Sequence, residues 1–140
     1  MPFVVDNSVV SGWYLAGQAS DYTEAVLSLL RADTAIVPPL WECELANVVR
    51  TAVARGILAE KDARLAMSYV LGLPISIDRM VVAADRLLSL SLAYGLTAYD
   101  ATYLELALRH KLPIATTDGQ LKAAAKKAGL VLIQPGDHER

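Results

Sequence analysis

Phe3-Val4-Val5, Ala35-Ile36-Val37, Pro113-Ile114-Ala115-Thr116 and Leu130-Val131-Leu132-Ile133 are short runs in which apolar residues follow one another without alternating. A strand that is apolar on both sides has to be covered on both sides. A parallel sheet with helices packed over each face meets that condition. Between these runs the period lengthens to that of a helix. Trp41, Leu45, Val48 and Ala52 recur along Trp41 to Arg55, and Gly56 is placed to end that helix. Similar spacing predicts helices over Asn7 to Leu15, Tyr22 to Arg31, Glu60 to Leu71, Asp78 to Tyr94, Asp100 to His110 and Asp118 to Ala128, with Ile75-Ser76-Ile77 as a further short strand. Strands that alternate with helices predict an α/β chain: three layers, α/β/α, around a central, mostly parallel sheet.

Composition narrows the chemistry. The chain has 140 residues, a length suited to one domain, expected over 1–134 with a flexible tail at 135–140. A hydrophobic share of 54% and a charged share of 20% exclude a disordered or low-complexity chain. Cys43 stands alone, so neither an internal disulfide framework nor a cysteine zinc site can form. The histidines are His110 and His138, too few for histidine-based metal binding. A site in this chain therefore has to be built from oxygen ligands or hydroxyls. No stretch has the roughly 18 apolar residues of a membrane span. The opening Met1-Pro2-Phe3 also lacks a basic leader, so a cytoplasmic setting away from membranes is the expectation. The formal charge of −2 lacks the basic excess of a dedicated nucleic-acid binder. Lys122, Lys126 and Lys127 read most simply as a solvated helix face.

Ligands of parallel α/β sheets bind beyond the carboxyl ends of the strands. Asp6 follows the first strand, Asp118 follows the strand through Thr116, and Asp100 opens a helix after Gly95. Each also has a structural explanation. Asp6 can cap the next helix, Thr97 and Asp100 can form a variant capping box, and Thr117 with Gln120 matches a capping box that leaves Asp118 in the first helical turn. Glu44 lies inside a helix, beside Val48 one turn on, and so approaches the sheet, whereas Glu42 points to another side and suits solvent. Its structural alternative is a partly buried acid paired with Arg50 or Arg109.

Were these four carboxylates to meet without a cation, they would repel one another and one or more would protonate. A divalent cation such as Mg²⁺ reverses the sign of that interaction, since it takes oxygen ligands and keeps waters on its remaining positions. Such a centre suits phosphodiester hydrolysis, with no histidine base required. Without these four acids, 13 basic residues face 11 acidic ones, a formal +2 that can form a mildly basic rim for a polyanion.

At these residues the sequence resembles the PIN-domain nucleases, and among them the VapC-like toxins of toxin–antitoxin pairs. The likeness runs from Val4 to about Ile133. Val4-Val5-Asp6-Asn7-Ser8 resembles the family's strand-end D-x-S. Pro39 to Arg50 resembles its helix with Glu three before Asn, here Glu44 and Asn47. Leu96 to Leu104 is similar to the third acidic motif, and Ile114 to Leu121 to the final T-x-D-x-x-L. Each motif alone is unspecific; four in order on the expected elements are much more specific.

The resemblance implies a metal-dependent ribonuclease with Asp6, Glu44, Asp100 and Asp118 as its acidic cluster, holding Mg²⁺ or Mn²⁺. By the same matching Ser8 and Thr116 supply hydroxyls that orient the acids, against the simpler roles of a helix cap and a strand residue bonded to backbone. Asn47 holds Glu44, contacts substrate, or only packs. Gly119 follows Asp118, so a fifth acid sometimes present in the family is missing there. One firmly held ion is the expectation, with a second arriving with RNA. The resemblance further implies a homodimer and a cognate antitoxin whose tail blocks the active-site groove. Trp13, Tyr14, Trp41 and Tyr69 are core residues or part of those interfaces. Two other readings stand beside it. A phosphoacceptor receiver module would want an acidic pair where Asp6-Asn7 stands and a lysine near Pro135-Gly136. The other is a catalytically silent interaction domain of the same fold.

Overall fold

The computed structural model of the chain describes residues 1–134. β1 (Phe3–Val5), β2 (Ala35–Val37), β3 (Ile75–Ile77) and β4 (Ile114–Ala115) form one parallel sheet in the order β3-β2-β1-β4. The chain builds outward from β1 to β2 and β3, then crosses back to lay β4 on the other side of β1. That reversal between β1 and β4 opens a crevice at the carboxyl ends of two adjacent strands. The run Leu130 to Ile133 was expected as a full strand; it contributes a single parallel bridge, Leu132 to Ile114, at the β4 edge. β4 has only two residues to pair with, which limits the ladder there.

The helices are α1 (Asn7–Val10), α2 (Asp21–Leu29), α3 (Leu40–Ala54), α4 (Glu60–Leu71), α5 (Ala84–Tyr94), α6 (Ala98–His110) and α7 (Gly119–Lys127). With the sheet they make the three-layer α/β/α architecture. Phe3, Val4 and Val5 on β1 and Ile114 and Ala115 on β4 are fully or almost fully buried, as continuous apolar strands require. Trp41 and Leu45 of α3 and Tyr103, Leu104 and Leu106 of α6 pack against them. Trp13 and Trp41 are therefore core residues, while Tyr69 is exposed.

Two helices are shorter than their periodicity predicts. The Asn7 to Leu15 helix breaks after Val10 into tight 3₁₀ turns at Ser11–Trp13 and Ala16–Gln18. There Gly12 lies against Thr23 so closely that a Cβ would sit 2.7 Å from its Oγ1. The Asp78 to Tyr94 helix begins only at Ala84. Asp78 instead continues the strand, its N–H donating to Val37 O (2.9 Å). Its carboxylate holds Met80 N–H (3.0 Å), the Arg109 guanidinium (3.0 Å) and His110 Nε2 (2.6 Å). Those bonds fix an extended segment, and Val81 is left 90% exposed rather than in the core.

α5 ends where Gly95 turns left-handed (φ 66°) and Leu96 N–H donates to Ser91 O (3.1 Å). The turn delivers Thr97 as the cap of α6 and so sets where Asp100 lies. The tail at 135–140, expected to be flexible, lies outside the described residues.

Candidate active site

Asp6 ends β1, Thr116 and Asp118 follow β4, and both strands meet at the reversal of the sheet. Asp6 is 7% exposed and Thr116 1%. The Thr116 hydroxyl donates to Asp6 Oδ2 (2.7 Å), and so does the Ser8 hydroxyl (2.8 Å). Each hydroxyl also accepts from the loop after β4. Thr116 Oγ1 takes Asp118 N–H (3.0 Å) and Ser8 Oγ takes Thr117 N–H (3.1 Å). Ser8 and Thr116 thus tie the ends of β1 and β4 together through one carboxylate oxygen. These bonds and that of Asn7 N–H favour the ionised acid, yet burial outweighs them and, with Asp118 adding repulsion, pushes the Asp6 carboxyl above its ordinary range.

Asp118 is itself the N-cap of α7, its Oδ1 accepting Leu121 N–H (2.9 Å). The capping box expected from Thr117 and Gln120 therefore does not form; Thr117 N–H is already held by Ser8, and the helix starts two residues later, at Gly119. The cap uses one oxygen of Asp118, so capping and a role in the site are compatible.

At the start of α6, Thr97 accepts Asp100 N–H (3.2 Å). The backbone half of the expected capping box exists, and the Asp100 carboxylate is left out of it. Burial first, then the neighbouring Asp118 and Asp6, push the Asp100 carboxyl up to about 6.

Glu44 projects from α3 into the same space, half-buried, and Tyr103 OH donates to its Oε1 at 2.5 Å. Burial raises the Glu44 carboxyl, the Tyr103 bond lowers it, and Asp6 and Asp100 raise it again. The arginine partners considered from the sequence are not there. Arg109 grips Glu105 (2.9 Å) and Asp78 (3.0 Å) instead. Glu42 is exposed and pairs with Arg79 (3.3 Å). Tyr103 was not singled out from the sequence, although its position three residues after Asp100, one helical turn on, places both on one face of α6.

Asp6, Glu44, Asp100 and Asp118 line one cavity of about 530 Å³, with Ser8, Asn47 and Arg55 also at its wall. Asn47 is exposed and reaches the cavity, but makes no hydrogen bond to Glu44. A larger cavity, about 690 Å³, lies among Leu29, Leu108, Pro113 and Val131. It sits at the amino ends of β1 and β4, lacks these acids, and is mainly apolar.

Among the described residues no Lys, Arg or His forms an ion pair with any of the four acids. Their hydrogen-bond donors are neutral hydroxyls and backbone N–H groups. Such donors orient carboxylates without cancelling their charge, so the repulsion remains. No three of the described acids close into a ready-made cage. An all-oxygen donor set under mutual repulsion, with no protein cation paired to it, fits a hard divalent ion.

Comparison with known proteins identifies the family and the fold. The PIN domain family model matches residues 3–127. Ribonuclease VapC1 of Mycobacterium tuberculosis is 33% identical over 123 residues, covering 86% of this chain and 89% of that protein. Among solved structures, PAE2754 from Pyrobaculum aerophilum superposes with a TM-score of 0.70 at 21% identity, covering 99% of this chain and 95% of that one. VapBC2 from Rickettsia felis, bound to a DNA fragment from its promoter, gives 0.66 at 15% identity, with 95% and 98% covered. FitAcB from Neisseria gonorrhoeae gives 0.57 at 20%, with 97% and 99% covered. The structural likenesses establish the shared fold, and the family model spans every element from β1 to α7. The chain belongs to the PIN-domain family.

Proposed function

We propose that the chain is a metal-dependent endoribonuclease that hydrolyses RNA phosphodiester bonds and acts as the toxin of a toxin–antitoxin pair. The observation that carries this reading is the meeting of Asp6, Glu44, Asp100 and Asp118 in one cavity, none of them ion-paired to a protein cation among the described residues. The identity to Ribonuclease VapC1 supports RNA as the substrate. The VapBC2 likeness supports a cognate antitoxin as partner. A homodimer in a cytoplasmic setting completes the reading.

Asp6, Asp100 and Asp118 would hold Mg²⁺ or Mn²⁺, with Glu44 as a further ligand or as the group that orients the attacking water. When bound, the ion supplies Lewis-acid polarisation of the phosphoryl group and a lowered pKa for that water. Ser8 and Thr116 fix the Asp6 carboxylate by donating to its Oδ2. Asp118 keeps one oxygen on its helix cap while the other is available to the site. Arg55 at the cavity wall offers positive charge to the RNA backbone.

The test is cleavage of a mixed RNA substrate by the purified protein with Mg²⁺, with Mn²⁺ and with EDTA, alongside Asp6→Asn and Asp100→Asn. Cleavage that needs the metal and is lost in both variants supports the reading. Cleavage that survives in both variants, or in EDTA, refutes it.

A further inference from the structure

We propose that Tyr103 is a positioning residue of the acidic site, clamping the Glu44 carboxylate so that α6 supplies both an acid, Asp100, and the group that aims a second acid on α3. This rests on the reading of the site as a divalent-cation centre. The geometry is specific. Tyr103 is fully buried in α6, and its one polar side-chain atom donates to Glu44 Oε1 at 2.5 Å, across 59 residues of sequence. The ring belongs to the hydrophobic core, where a phenylalanine would fill nearly the same volume. The hydroxyl is therefore not required by packing, and a buried phenol needs a polar partner. The partner it takes is a carboxylate of the cavity rather than a backbone carbonyl.

The bond occupies one oxygen of Glu44. It restricts the carboxylate's rotation and leaves the other oxygen to face an ion or a water. A long glutamate in mid-helix otherwise has several rotamers, and ordering one of them costs conformational entropy. Asp6 is held in the same manner by Ser8 and Thr116. Neutral hydroxyls thus aim two of the four acids while leaving their charge for the cation. Groups that orient metal ligands typically influence metal affinity by about 10- to 100-fold.

Tyr103→Phe removes one oxygen and keeps the ring; circular dichroism and a thermal melt check that the fold is retained. Mn²⁺ affinity is then measured by calorimetry on the EDTA-stripped full chain for wild type, Y103F, E44Q and the double variant. The expected result is that Y103F weakens Mn²⁺ binding by about 10-fold in the wild-type background and has no further effect in E44Q. Unchanged affinity in Y103F, or an equal loss in both backgrounds, overturns the positioning role while leaving the metal site standing. Absence of Mn²⁺ binding by the wild type overturns the metal reading, and this proposal with it.

Discussion

The hydroxyl of Thr116 donates to Asp6 Oδ2 at 2.7 Å across 110 residues of sequence, joining the carboxyl ends of two neighbouring parallel strands. Through its other face Thr116 accepts the N–H of Asp118 (3.0 Å), so a single side chain sets the position of two site acids. Thr116→Val keeps the shape and removes both bonds. The orphaned Asp118 N–H and the half-freed Asp6 carboxylate predict a loss of about 1–2 kcal/mol in urea unfolding. RNA cleavage is expected to fall about 10- to 100-fold. A variant as stable and active as wild type would remove Thr116 from the site.

Asp100→Asn should stabilise the metal-free protein at neutral pH, by about 1 kcal/mol once partial exposure is allowed for. The Asp100 carboxyl is raised to about 6 in the folded state, so folding favours its protonated form. Its contribution to stability is therefore fully present below the unfolded value of 3.8 and is lost as pH rises through about 6. Urea melts in EDTA between pH 3.5 and 7.5 should show the variant's advantage over wild type growing as pH rises through that window. A simple first-turn acid predicts no gain, or a loss of up to about 1 kcal/mol, across it.

Added Mn²⁺ should raise the unfolding free energy of wild type by about 2.7 kcal/mol at 100 times the dissociation constant. EDTA should reverse the rise, and Asp6→Asn should abolish most of it. Thermal melts across a Mn²⁺ series provide the measurement, and an equal rise in Asp6→Asn would place the ion elsewhere.

Arg109 has a structural part instead. Its guanidinium bonds Glu105 (2.9 Å) and Asp78 (3.0 Å), holding the carboxyl end of β3 to the end of α6. These bonds, with His110, keep the Asp78 carboxyl well below its usual range. That stability is present above the unfolded value of 3.8 and is lost as pH falls towards the lower folded value. Arg109→Met leaves the buried Glu105 without its cation and should cost about 3 kcal/mol at pH 7. Mn²⁺ affinity should stay unchanged in any population that remains folded, as calorimetry can check.

Much of this architecture could be read from residue order. Continuous apolar runs fix the parallel sheet, and acids placed just after those runs, or at the head of a helix, fall at the reversal between β1 and β4. The motif likeness named the same residues. What escaped were contacts that depend on three-dimensional proximity. The Glu44 partner is a neutral phenol on another helix, which helical periodicity on α3 cannot reveal. The segment from Asp78 to Ala83 carries a helical apolar period, but Asp78 gains more by extending the ladder and binding Arg109 and His110. At Asp118 local capping rules offered Thr117 equally well, and a long-range bond from Ser8 decided between them.

The most direct measurement is a crystal structure of the protein grown with Mn²⁺, read by anomalous scattering. A manganese peak is expected in the cavity at about 2.1 Å from carboxylate oxygens of Asp6 and at least one of Asp100 and Asp118. A cavity in which those carboxylates contact no manganese while the ion binds elsewhere, or nowhere, would contradict the metal reading.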